Sequence, residues 1–249
     1  MNSRGSRPLG QFPIPCRHRA SLIAAGLLLA PIAGGAATAP ATMPATALPD
    51  LSTVQADLSV PAARAEAPAP GVRCVQTTAG WEGGAVHHTL YLPRDWTPGG
   101  KFPVLVEYAG NGRYRNKFGD VSDGTVEGCR LGYGLSGGRG FIWVCLPFVE
   151  SHEGGWRNAV TWWGEVVESK RYCLATVRDV CARFGGDDQA VVFCGFSRGA
   201  IAANFLGLHD DEIAGLWRAF ICHSHYDGVI ERWPYPGADR AAAQVRLRR

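Results

Sequence analysis

The chain has 249 residues, a formal charge of +3 and 46% hydrophobic residues, among them eight tryptophans. This balance excludes the basic footprint of a nucleic-acid binder and leaves enough apolar side chain for a sizeable core. No internal repeat stands out, and there is no Cys-x-x-Cys pair to suggest a zinc ribbon or a thioredoxin-type redox centre.

Residues 1–37 read as a signal peptide. Arg4, Arg7, Arg17 and Arg19 precede the apolar run Leu22 to Ala30, and small residues follow it. The run is broken at Pro31 and falls short of the roughly 20 residues a spanning helix needs, so a stable membrane anchor is not expected. A secreted or periplasmic protein is. Residues 38–70 are rich in Ala, Pro and Thr and read as a disordered linker, with a single folded domain over 71–249. Loss of Cys16 with the leader leaves an odd number of cysteines. Cys145, Cys194 and Cys222 lie in apolar runs and read as buried thiols. Cys74 and Cys129 lie in more polar surroundings and are candidates to pair in an oxidising compartment.

Within the domain, 72–78 and 86–92 read as strands around a Gly-rich hairpin turn, and 103–108 as a third strand leading to Ala109-Gly110-Asn111-Gly112. The Gly-rich stretch 113–139 gives no clear element. Phe141 to Leu146 is a near-continuous apolar run, as a strand covered on both faces requires. Residues 147–158 read as a loop, and 160–184 has helical spacing closed by Gly185-Gly186. Trp156, Trp162 and Trp163 near that helix start are expected to pack, with an aromatic binding platform as the alternative.

The central stretch is Ala190-Val191-Val192-Phe193-Cys194-Gly195-Phe196-Ser197-Arg198-Gly199-Ala200. An apolar run, then Gly-x-Ser-x-Gly, then a small-residue helical segment describes a turn that lifts Ser197 above a sheet. The pattern recurs at Gly134-Leu135-Ser136-Gly137-Gly138, but with no strand before it or helix after it, so Ser136 is set aside. A short helix from about Asp210, a strand over 219–223 and a final helix over 238–248 complete the chain. Strands alternating with helices predict an α/β protein whose mostly parallel sheet carries helices on both faces.

From residue 86 onward the chain resembles the α/β-hydrolase superfamily, in particular its secreted esterase and depolymerase-like branch. The resemblance implies a serine hydrolase of small-molecule or polymer esters that needs no cofactor or metal. Ser197 would be the nucleophile. The oxyanion hole would come from the N–H of Arg198 and from the loop of Gly110, Asn111 and Gly112. In that pattern an acid and then a His follow on later strands. Only residues 198–249 remain here, so the final strands are expected to be missing, and with them the usual catalytic His. Asp227 is the candidate acid and His225 the candidate base, with His223 beside it and His152 a weaker candidate. His87, His88 and His209 are expected to be structural or at the surface.

Two other readings compete. His223-Ser224-His225-Tyr226-Asp227 resembles the His-x-His-x-Asp-His metal-binding run of metallo-β-lactamase-like hydrolases, although residue 228 is Gly. A hydrolase-like domain that binds without cleaving is the third.

Overall fold

A computed structural model describes residues 50, 53–55, 57–117, 121–224, 235 and 239–249. The expected signal peptide lies outside the described residues, and so do His225 and Asp227. Contacts divide the chain into 1–54 and 55–249. Of the first unit only a short turn at Asp50 and Thr53 is described, where the Thr53 N–H donates to the Asp50 carbonyl at 2.9 Å. Among the described residues no helix is long and apolar enough to cross a membrane.

The second unit is built on six strands: β1 (Arg73–Gln76), β2 (His88–Tyr91), β3 (Phe102–Tyr108), β6 (Ile142–Leu146), β9 (Gly186–Phe196) and β10 (Ala219–His223). Their order across the sheet is β1-β2-β6-β3-β9-β10. β6, β3, β9 and β10 run parallel, while β2 joins β6 and β1 joins β2 antiparallel. Counted among themselves, the sheet strands lie in the order 1-2-4-3-5-6.

Alternation along the central strands explains why both sheet faces are buried. Val104, Val106 and Tyr108 of β3, with Ile142, Val144 and Leu146 of β6, enter the larger apolar cluster. Leu105 and Ala109, with Trp143 and Cys145, enter a second cluster on the other face. The first face is covered by α2 (Val166–Phe184) and α3 (Arg198–Phe205), the second by α1 (Leu131–Ser136) and the segment before it. Helices therefore lie on both sides, as expected. α4 (Asp211–Ala214) and α5 (Arg240–Arg246) are short, and each starts at an Asp whose carboxylate caps a backbone N–H.

The structure departs from expectation in four places. The expected loop 147–158 contains a hairpin of β7 (Phe148–His152) and β8 (Gly155–Ala159). Its two-residue turn puts Glu153 and Gly154 at φ 48° and 77°, the sign a type I′ turn requires. Secondly, α2 begins at residue 166 because Trp162 and Gly164 have positive φ, which no α-helix accommodates. Thirdly, the linker boundary at 70 is too late. Arg64 bridges Cys74 and Pro70 bridges Leu92, so the backbone before 71 already adds to the sheet edge. Lastly, Cys74 and Cys129 are free thiols. Cys74 belongs to the cluster on one face of the sheet and Cys129 to the cluster on the other, so they cannot meet. The stretch 113–139 holds the small hairpin of β4 (Tyr114–Arg115) and β5 (Val121–Ser122) and then α1, where Ser136 is the last helical residue.

Candidate active site

β9 carries the chain up between β3 and β10 and stops at Phe196, and α3 starts at Arg198. The single residue between them, Ser197, sits at φ 51° and ψ −111°, a conformation that costs an L-residue about 1–3 kcal/mol. The two glycines are required by close approach. A Cβ on Gly195 would strike the backbone of Gly199, and a Cβ on Gly199 would strike the Tyr108 carbonyl at the end of β3. The turn is pinned from the neighbouring strand as well, since the Ser197 N–H donates to the His223 carbonyl at 3.0 Å. The Ser197 hydroxyl caps nothing on α3, and among the described residues it has no hydrogen-bond partner. A half-buried hydroxyl at the carboxyl edge of a parallel sheet, held on a strained turn, is placed to attack an electrophile.

The backbone N–H groups of Arg198 and Gly110 near it have no acceptor among the described residues, and neither has that of Asn111. The first opens α3, where helix geometry leaves donors unpaired. Gly110 lies against Phe196, close enough that a Cβ would come within 2.7 Å of the ring. The other two loop residues are committed elsewhere. The Gly112 N–H donates to the Val160 carbonyl at 2.8 Å, and the Asn111 Oδ1 accepts from the Trp162 N–H at 2.8 Å. Of the three loop residues expected at an oxyanion hole, only Gly110 keeps an open N–H with no such tie on either backbone or side chain.

A cavity of about 310 Å³ opens beside the elbow, lined by Gly110, Ser122, Phe196, His223 and Arg130 among others. Phe196 and Gly110 join it to the turn; Ser197 itself is not in its wall. His223 is exposed, and its ring centroid lies 5.3 Å from that of Phe196.

Glu107, also in the cavity wall, is fully buried and satisfied. One carboxylate oxygen accepts from the N–H groups of Arg130 and Leu131, at 3.1 and 3.0 Å. The other accepts from the Gly132 N–H and the Trp143 indole, at 2.7 and 2.8 Å. Burial pushes its pKa up and these four donors pull it back. Because every partner is a donor, the acceptor-only carboxylate is the form that fits. Cys129 and Cys145 approach Glu107 with ligand atoms within 4.8 Å of one another, the spacing of a metal site. Glu107 has no lone pair left to offer, so the residues do not suit an ion.

The remaining histidines lie apart from the elbow. His87 pairs with Glu127 at 2.7 Å, and that hydrogen bond raises the imidazole pKa. His88 is buried against the Tyr172 hydroxyl at 2.8 Å. His152 is on the outer hairpin beside Arg157. His209 follows α3 and lines a separate hollow with Phe205 and Tyr235. Trp163 is wholly buried against Phe205 and Tyr235, and Trp156 and Trp162 are half-buried, so the three form no open platform.

Sequence reasoning missed the Arg198 side chain altogether. It is 2% exposed and spreads its guanidinium over the carbonyls of Ala109, Gly124, Ala159 and Trp162, above the Phe148 ring. Burial lowers its pKa to about 9, which leaves it charged at neutral pH. Glu107 could have been noticed as a lone acid between Val106 and Tyr108, inside a strand that the pattern buries on both faces.

Sheet order, the serine turn and the helix behind it define an α/β architecture with a sharp strand-to-helix turn that presents Ser197. No family model matches the chain, and no curated protein does. Among solved structures it is similar to Thermogutta terrifontis esterase 2 phosphorylated by paraoxon, at 19% identity and a TM-score of 0.43, over 68% of this chain and 64% of that one. The same esterase phosphoramylated by tabun matches at 18% and 0.39, over 61% and 55%. Juvenile hormone esterase from Manduca sexta matches at 22% and 0.36, over 68% and 32%. The matched region is thus less than two thirds of each of these proteins.

Proposed function

We propose that the chain is a serine hydrolase that cleaves carboxylic esters through attack by Ser197. The observation that carries this is the serine at φ 51° and ψ −111° between β9 and α3, with its hydroxyl uncommitted among the described residues. In the proposed reaction the Ser197 Oγ bonds to the ester carbonyl carbon while its proton passes to a base. The carbonyl oxygen becomes an oxyanion facing the N–H groups of Arg198 and Gly110, and the alcohol departs with the proton to leave an acyl-enzyme. Water repeats the sequence and frees the acid.

The base in this reading is His225 and the acid Asp227. What supports them is position: β10 ends at His223, whose carbonyl already holds the Ser197 N–H. His225 follows two residues later in the sequence, a reach of at most about 7 Å. The cavity beside Phe196 would receive part of a small ester or one unit of a polymer ester. The basic and apolar leader supports export to the periplasm or medium, where such a substrate would be met.

Purified protein treated with a fluorophosphonate probe tests the reading. Wild type should be labelled at Ser197 and Ser197→Ala should not, with any ester cleavage unaffected by a chelator. An unlabelled wild type, or equal labelling of both, defeats the serine mechanism. Chelator-sensitive cleavage without labelling would favour a metal held by His223, His225 and Asp227.

A further inference from the structure

The residue after the serine contributes more than a backbone N–H. The Arg198 guanidinium donates through Nε to the Ala109 carbonyl at 3.3 Å and through Nη1 to the Ala159 and Trp162 carbonyls at 3.2 and 2.6 Å. Through Nη2 it donates to the Gly124 carbonyl at 3.2 Å. Among the described residues no carboxylate pairs with it. One cation therefore gathers three separate segments around the elbow: the loop after β3, the turn after β5 and the chain leaving β8. The Ala109 contact is the informative one. A trans peptide is planar, with its C=O and N–H pointing in opposite directions. Whatever fixes the Ala109 carbonyl therefore fixes the Gly110 N–H that follows it in the same plane.

We propose that the Arg198 side chain is a positioning residue for the oxyanion site, which aims the Gly110 N–H by holding the Ala109 carbonyl. This rests on the serine-hydrolase reading above. Both donors then depend on one residue, Arg198 supplying its own N–H and orienting the other. The guanidinium touches no substrate. Its fork is what the geometry uses, because four carbonyls from different segments need several divergent N–H groups and an ammonium offers only a compact point.

The test compares the full chain with Arg198→Met and Arg198→Lys, measuring kcat and KM for p-nitrophenyl acetate together with amide hydrogen exchange. Both variants should lose about 10- to 100-fold in kcat with KM within about twofold, as expected when oxyanion stabilisation weakens. Exchange should quicken at the Gly112 and Trp162 amides, whose hydrogen bonds tie these loops together, and stay slow along β9. An unchanged kcat in either variant overturns the proposal, as does a loss spread equally over β9 and the loops. If the unmutated chain cleaves no ester, the serine reading fails separately and exchange decides alone. Unchanged protection at Gly112 and Trp162 then overturns the positioning role, and faster exchange confined to those loops upholds it.

Discussion

Acidification should destabilise this protein through one histidine. His88 lies on β2, 4% exposed, with its Nδ1 2.8 Å from the Tyr172 hydroxyl and its ring edge-on to that tyrosine. Burial pushes its pKa from 6.5 down to about 3, helped by the charges of His87 and Arg183. In the unfolded chain the ring takes up a proton near pH 6.5, whereas the folded chain resists until about pH 3. The unfolded state therefore binds more protons throughout that window. The contribution is intact above about pH 6.5 and erodes as pH falls toward the folded value. Each unit is worth about 1.4 kcal/mol, so at about pH 5 the loss from His88 alone is about 2 kcal/mol. Urea unfolding of wild type and His88→Gln at about pH 7.5 and about pH 5 isolates this quantity. The stability difference between the two proteins should shift by about 2 kcal/mol in favour of the variant at the lower pH. His87 runs the other way, since Glu127 raises its pKa and its contribution is lost as pH rises, but both proteins keep that pair and the comparison cancels it. A wild-type-to-variant difference that is the same at both pH values would refute the argument.

Two further outcomes follow from the site. Glu107→Gln turns an amide toward donors where the carboxylate now accepts four, so it should cost about 3 to 5 kcal/mol in urea unfolding with an unchanged m-value. A cost below about 1 kcal/mol would mean that the carboxylate is not needed as an acceptor there. Ser197→Gly should relieve the turn and, after the added chain entropy of glycine, gain about 1 kcal/mol while abolishing labelling. In a scanning thermal melt that gain corresponds to a rise of about 2–4 °C, and a lower midpoint would count against strain at the serine.

The architecture could be read in the chain because its signals are local and repeated. The apolar runs ending at Tyr108, Leu146 and Phe196, the first interrupted only at Glu107, mark strands buried on two faces, and Gly195 and Gly199 mark the turn. The β7–β8 hairpin escaped because Ser151, His152 and Glu153 are polar and exposed, so no alternation announces strands that stand off the main sheet. The start of α2 was misplaced because Val160 to Glu165 carries helical spacing, while the positive φ of Trp162 comes from tertiary contacts, the Asn111 amide among them. The loop Ala109 to Gly112 is legible as a unit, but which of its groups are tied depends on Val160 and Trp162, some fifty positions away. Long-range pairing of that kind leaves no periodicity in a sequence. The same holds for Arg198, whose four acceptors come from three distant segments.

The bond from the Ser197 amide to the His223 carbonyl links the reactive turn to a strand that is itself only half covered, with Ala219 and His223 exposed at its ends. The serine's backbone is thus moored sideways to β10, the last of the described strands in the sheet, as well as along its own strand. Whatever displaces that strand, a mutation at Phe220 or Ile221 for instance, reaches the nucleophile both through this bond and through the ladder that β10 shares with β9.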